Sequence, residues 1–126
     1  MSEERTYDLE ERLLTFSADI IRLIEHLPNT LASNHIAKQL VRSGTSPYAN
    51  HGEAQAAESP ADFVHKLKIC LKELRETMRW LRLLVKLEIN ATPLIDILLK
   101  ENEELIKIFV ASIRTANINA VKNKTK

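Results

Sequence analysis

The segment PADFVHKLKICLKELRETMRWLRLLVKL, residues 60–87, decides the fold class of this chain. Its apolar residues recur at alternating intervals of four and three, which keeps their side chains on one face of an α-helix. Ser59-Pro60 precedes this pattern and is typical of an N-cap followed by proline in the first helical turn. The sequence therefore predicts a long amphipathic helix over residues 60–87, whose predicted core seam is Leu67, Leu71, Leu74, Met78, Leu81 and Val85.

The same periodicity predicts three more helices, over residues 7–27, 30–58 and 93–116. Pro47 lies inside the second of them and predicts a kink or a local break. Residues 117–126 are polar and basic, and we expect a flexible tail. Short connections between long helices imply antiparallel neighbours. The prediction is one all-α domain over residues 1–126, an antiparallel up-down four-helix bundle. The inward seams of the first and last helices are Leu9, Leu13, Phe16, Ile20, Leu23 and Leu27, and Leu94, Leu98, Leu105, Phe109 and Ile113.

The composition is typical of a helical protein and indicates the cellular compartment in which it folds. The 126 residues include only two glycines and 5% aromatics, which disfavours a β-sandwich. The single cysteine, Cys70, excludes an internal disulfide and is typical of a reducing compartment. No apolar run is long enough for a membrane span, and the N-terminal residues do not resemble a signal peptide. We expect a cytoplasmic protein that does not enter a membrane.

No residue pattern of a conventional enzyme is present in the sequence. The four histidines do not pair at helical spacing, and the two Glu-x-x-His units of a di-iron bundle are missing. Phosphate-binding loops and the Gly-x-Ser-x-Gly nucleophile motif are also missing. We therefore expect a protein without catalytic residues, metal or cofactor.

A row of basic residues runs along the helix of residues 60–87. Each member follows a residue of the predicted core seam by one position, about 100° around the helix. Residues 66–86 carry a net charge of +5, whereas the whole chain carries +1. A row of cations with this spacing can follow a phosphate backbone. The alternative is a solvated face that forms salt bridges to the first or last helix. The basic row consists of Lys68, Lys72, Arg75, Arg79, Arg82 and Lys86, with Lys38 and Arg42 as weaker candidates.

Polar residues at intervals of three or four share one face of the second helix. If this face meets the next helix, Arg42 or Asn50 can pair with Glu73 or Glu76 in a buried hydrogen-bond network that fixes the helix register. The alternative is a binding site, in which Gly44 and Gly52 would permit close helix contact. The candidate network consists of Arg42, Ser43, Ser46, Asn50, Glu53, Glu73 and Glu76.

Two helices carry apolar residues outside their seams. A monomeric bundle buries only one stripe of each helix, so a second stripe predicts a subunit interface. A wide core-facing stripe in the monomer is the alternative. The residues concerned are Leu14, Ile21, Ile24, Trp80, Leu83 and Leu84.

The chain resembles the family of four-helix-bundle proteins encoded in intervening sequences of bacterial 23S rRNA genes. The family pattern Q-L-x-R-S-x-x-S-x-x-x-N-x-x-E-A falls on residues 39–54, and K-E-x-x-E-T-x-x-W-L falls on residues 72–81. The leader DLEERLLTFSADIIRLIEHLP, residues 8–28, also resembles the first helix of the family. Pro47 departs from the pattern, because the family usually has an aliphatic residue there.

The resemblance implies a homopentamer without known catalytic residues. It also relates the chain to the pentameric, basic accessory proteins of diversity-generating retroelements, which are associated with nucleic acid and a reverse transcriptase. On this basis we expect a non-enzymatic oligomer that binds RNA or DNA through the basic row. The alternative is a protein-interaction scaffold for a reverse transcriptase or a ribosomal component, in which the basic row is only solvated.

Overall fold

The computed structural model describes the backbone of residues 2–89 and 92–124 and the side chains of residues 8–89 and 92–122. Within these ranges the fold is all-α and contains no strand. Helix α1 packs against α2 and α4, and α3 packs against the same two helices. The four helices are α1 Ser2–Glu25, α2 Leu31–Gln55, α3 Pro60–Lys86 and α4 Pro93–Lys124.

Helices α2 and α3 run antiparallel. Along α2 and α3, Arg42 pairs with Glu76, whereas Glu53 pairs with Lys66, so residue numbers rise on one helix as they fall on the other. The connections between helices cover only residues 26–30, 56–59 and 87–92. Connections of this length return the chain beside the helix it has just left.

Side-chain caps and a left-handed residue set the ends of the helices. Thr30 Oγ1 accepts a hydrogen bond from the Ser33 amide, and Ser59 Oγ accepts one from the Asp62 amide, both at 3.1 Å. The N-cap role predicted for Ser59 is therefore confirmed. After α3, Glu88 has a φ of 55°, and the Ile89 amide donates to the Leu84 carbonyl at 3.1 Å. These two features form a Schellman motif.

The buried face of α3 differs from its predicted seam. Leu84 is fully buried, whereas Val85 is 47% exposed, and Leu71 and Met78 lie half-buried at the edge of the core. The predicted seam contains only hydrophobic residues and therefore omits Thr77, a small polar residue that faces α2. Assigning Leu84 to a subunit interface was wrong. The buried residues of α3 are Leu67, Cys70, Leu74, Thr77, Leu81 and Leu84.

The seams of α1 and α4 are closer to prediction. Their central residues form the core, while Leu9, Leu27, Leu94 and Ile113 pack at its margins. Outside the seam of α1, Leu14 and Ile21 are 42% and 39% exposed. The fully or almost fully buried members of the predicted seams are Leu13, Phe16, Ile20, Leu23, Leu98, Leu105 and Phe109.

Helix α2 continues through Pro47, which excludes the local break and leaves the kink as the other form of the prediction. Proline lacks an amide hydrogen, which deprives the carbonyl one turn earlier of its usual donor. Pro47 is buried, and its carbonyl oxygen accepts a hydrogen bond from Cys70 Sγ at 3.4 Å. This side of α2 therefore packs against α3.

The predicted end of the fourth helix at Ala116 is wrong, because α4 continues to Lys124. Residues 117–124 are therefore helical rather than a flexible tail, and residues 125–126 lie outside the described range. Ala116 and Ala120 line a groove together with Phe63 of α3, so the extended part of α4 still faces the bundle. No helix among the described residues is long and apolar enough to cross a lipid bilayer.

Candidate nucleic-acid interface

The basic row lies on the outer face of α3, and all six of its side chains are exposed or partly exposed. In the part of the chain whose side chains are described, none of them forms an ion pair within 4.0 Å. The alternative of salt bridges from this row to α1 or α4 is therefore not observed there. The two acidic residues within the span of the row, Glu73 and Glu76, pair instead with Arg42 of α2.

Arg42 bridges two carboxylates. Its Nη1 donates to Glu73 Oε2 at 3.0 Å, and its Nη2 donates to Glu76 Oε1 at 2.6 Å. The hydrogen bond from Arg42 lowers the pKa of Glu76, whereas burial raises the pKa of Glu73. Because both ends of the guanidinium are occupied, Arg42 is a weaker candidate for binding phosphate than the row. Lys38 lies one helical turn earlier on α2.

The pair predicted between Arg42 and the carboxylates of α3 is present, but it is not buried as a network. The Arg42 side chain is 51% exposed, while that of Glu73 is only 12% exposed. Solvent therefore reaches the cation and screens the pair. We therefore expect it to contribute little to stability.

The buried polar contact between α2 and α3 is formed by Ser43 and Thr77. Thr77 Oγ1 lies 2.8 Å from the Glu73 carbonyl oxygen and 2.9 Å from Ser43 Oγ. The carbonyl can only accept, so Thr77 donates its single proton to it and accepts from Ser43. The network prediction omitted Thr77, although its spacing from Leu74 and Leu81 places it on the buried face.

The remaining members of the predicted network do not join it. Asn50 donates locally to Ser46, at 3.0 Å to the carbonyl and 2.8 Å to the hydroxyl oxygen. Glu53 accepts from Lys66 Nζ at 2.9 Å near the other end of the α2–α3 pair. The structure thus divides the predicted face into separate local contacts.

His51 and Asn102 are two further buried polar residues that the sequence analysis does not identify. His51 is 2% exposed and places its ring edge-on to Phe109, with centroids 6.3 Å apart. Burial lowers the pKa of this histidine. Asn102 is fully buried, and neither atom of its amide has a hydrogen-bond partner in the described chain. Its position four after Leu98 and three before Leu105 could have identified it as a core residue.

A groove of about 780 Å³ adjoins the end of the basic row near the α3 C-terminus. Trp80 lines this groove, and its indole packs edge-on to the His35 ring of α2 at a centroid distance of 5.8 Å. Leu83 is 38% exposed beside it. The groove is lined by Glu76, Arg79, Trp80, Arg82, Leu83 and Lys86.

Comparison with known proteins identifies the family. The family model described as 23S rRNA-intervening sequence protein matches residues 5–111, and the chain belongs to this family. The resemblance noted in the sequence is thereby confirmed. A crystal structure of a protein with unknown function from the S23 ribosomal protein family of Bacteroides thetaiotaomicron VPI-5482 is similar, with 35% sequence identity and a TM-score of 0.78. The match covers 86% of this chain and 97% of that one. A search of curated proteins found no match.

Proposed function

We propose that this protein is a non-enzymatic, oligomeric nucleic-acid-binding protein whose ligand is RNA. The observation that carries the proposal is the basic row: six solvent-accessible cations at helical spacing, none paired with a carboxylate among residues 8–89 and 92–122. The row extends for about 27 Å along α3, at 1.5 Å per residue. Such a row can contact several successive phosphates.

The only cysteine does not have the properties of a nucleophile. Cys70 is fully buried in the core, and burial raises the pKa of its thiol to about 12. A reactive cysteine requires an accessible thiolate with a lowered pKa. This supports the non-enzymatic part of the proposal.

Salt dependence is the first test of the proposal. Six phosphate contacts give a slope of log K against log salt of about −4 for a single strand and about −5 for a duplex. Between about 50 and 200 mM salt, the affinity for single-stranded RNA should fall about 300-fold. An affinity for RNA that does not change over this range would contradict binding through the row.

Charge reversal locates the binding surface. In the variant Arg75→Glu/Arg79→Glu/Arg82→Glu, three consecutive cations of the row become anions, and RNA binding should be lost at physiological salt. The matched control Lys100→Glu/Lys107→Glu/Arg114→Glu changes three exposed cations of α4 and shifts the net charge equally. It should retain most of the affinity. Equal losses in both variants would mean that only the total charge matters, and the α3 surface would be rejected.

The oligomeric part of the proposal, a homopentamer, is supported by apolar surface that the monomer leaves uncovered. Leu14 and Ile21 lie two helical turns apart on the outer face of α1, and Glu11 and Glu25 flank them. This face lies on α1, away from the basic row of α3, so a neighbouring subunit can cover it and leave the row accessible. Light scattering should give about 72 kDa, five times the chain mass of 14.4 kDa. Ile21→Asp should reduce that mass, whereas a monomeric wild-type protein would refute the pentamer.

A protein-interaction scaffold is the second candidate, with a reverse transcriptase or a ribosomal component as partner. It is favoured by a second groove of about 620 Å³ between α3 and α4, where Met78, Val85 and Leu99 provide an apolar floor. This candidate predicts no RNA affinity at physiological salt together with stoichiometric binding of a purified partner. Reversing the charge of the row would then leave the partner's affinity unchanged.

A further inference from the structure

We propose that the Trp80 groove binds an unpaired base, so that the protein prefers single-stranded or looped RNA to a duplex. This inference rests on the proposed RNA-binding function and adds the class of RNA. The groove volume, about 780 Å³, lies within the range of small-molecule sites.

Trp80 offers a stacking surface rather than a hydrogen-bond donor. Its Nε1 atom is buried and interacts with the Glu76 carboxylate, whose pKa it helps Arg42 to lower, while the side chain as a whole is only half-buried. The exposed part of the indole is therefore carbon. The His35 ring, edge-on at 5.8 Å, helps to hold the indole in place. Flat carbon surfaces of this kind are where proteins stack unpaired bases.

The charges around Trp80 favour a phosphate at the rim of the groove. Glu76 is the only acid among the described residues that line it, and Arg42 already occupies that carboxylate at 2.6 Å. Arg79, Arg82 and Lys86 line the same groove and form no ion pair within 4.0 Å among the described side chains. A nucleotide can thus place its base on the indole and its phosphates on these cations.

Base pairing determines which RNA can use this arrangement. In a duplex, each base is stacked between its neighbours and its faces are covered, so only the phosphates reach the protein. In a loop or a single strand, the base is free to stack on Trp80. Duplex RNA should therefore contact only the basic row, and its affinity should be lower than that of a single strand that makes the same number of phosphate contacts.

The test uses the wild-type protein, because Trp80 is its only tryptophan. An oligouridylate of roughly 12 nucleotides, within the site sizes of single-strand-binding proteins, is compared with an abasic strand that has the same number of phosphates. We expect oligouridylate to quench the Trp80 fluorescence and to bind about tenfold more tightly than the abasic strand, the effect of one stacked base. The abasic strand should bind with the same salt slope and without quenching.

The outcomes separate this inference from the proposed function. Equal affinity for the two strands, without quenching, overturns the stacking site and leaves RNA binding through the row intact. Absence of binding by both strands, and by a hairpin RNA, refutes the proposed function and the inference with it. Quenching by an acidic polypeptide but not by RNA would assign the groove to a protein partner and also overturn it.

A pair of variants tests the position of the site. Leu83→Glu introduces a negative charge into the groove, whereas Val85→Glu introduces the same charge on α3 outside it. Both residues are exposed, at 38% and 47%, so both variants should fold. Leu83→Glu should abolish the preference for oligouridylate over the abasic strand, and Val85→Glu should preserve it. Equal effects of the two substitutions would refute a local site at Trp80.

Discussion

Two glycines of α2 should respond in opposite ways to the same substitution. A Cβ atom at position 44 would lie 2.8 Å from both Cγ1 and Cγ2 of Ile20, while a Cβ atom at position 52 would have nothing within 4 Å. Replacing glycine by alanine inside a helix is favourable by about 0.5–1 kcal/mol. At Gly52 this gain should appear in full.

At Gly44 the steric cost exceeds the gain in helix propensity. Ile20 is fully buried, and its β-branched side chain has one strongly preferred rotamer in a helix, so it cannot rotate away. Relief requires α1 to move from α2, which stretches the 3.3 Å hydrogen bond from Ser17 Oγ to the Gly44 carbonyl. Overpacking of this kind costs about 1–3 kcal/mol. The net effect of Gly44→Ala should be a loss of about 1–2 kcal/mol.

Thermal unfolding at one fixed protein concentration measures both variants, because oligomerisation makes Tm depend on concentration. Gly52→Ala should raise Tm by about 2–4 °C, and Gly44→Ala should lower it by about 3–8 °C. The double-mutant cycle with Ile20→Ala tests the cause, since the methyl group added by Gly44→Ala should fill part of the cavity that Ile20→Ala leaves. We expect a coupling energy of at least about 1 kcal/mol. If Gly44→Ala stabilises the protein as Gly52→Ala does, the close contact between α1 and α2 is refuted.

Three other features lead to predictions. Burial keeps His51 neutral by lowering its pKa from 6.5, so its contribution to stability should be constant above about pH 6.5 and fall as the pH drops below that value. Tm measured down to about pH 5 should show this fall, and the variant His51→Gln should show a weaker dependence of Tm on pH. Asn102→Leu removes a buried amide that has no hydrogen-bond partner among the described residues, so the free energy of unfolding measured in urea should rise by about 1–2 kcal/mol. A lower urea midpoint than that of the wild type would contradict this. Glu88 has a φ of 55°, so Glu88→Gly should gain about 1 kcal/mol in thermal unfolding, whereas Glu88→Ala should show no such gain.

The basic row shows where local reasoning suffices. Its members were predicted from spacing alone, and all six are accessible to solvent on α3. The core seam of the same helix was less accurate, because Leu84 rather than Val85 is buried. Hydrophobic side chains at adjacent positions give nearly the same periodicity, and the rotation of α3 is chosen by its neighbours. The contacts of Thr77 with Ser43 and of Cys70 with Pro47 favour the rotation that buries Leu84.

The candidate site was only partly accessible to sequence reasoning. The motif positions predict that Arg42 pairs with carboxylates of α3. They do not predict that the Arg42 side chain is exposed to solvent. The Trp80 groove was not predicted, since a concave surface depends on how side chains of one helix stand beside the next. The sequence places Trp80 only in a second apolar stripe at a predicted subunit interface, whereas in the structure it packs against the core beside the groove.

Local sequence patterns are enough to predict the four helices, their antiparallel order, the Ser59 cap and the outward row of cations. These features depend on periodicity, local caps and short connections, all of which act within a few residues. The tertiary structure alone decided that α2 continues through Pro47, that Gly44 meets Ile20, and that Arg42 occupies the two carboxylates beside the basic row. Each of these depends on the rotation and register of two helices packed together, and the spacing of residues within one helix does not specify either quantity.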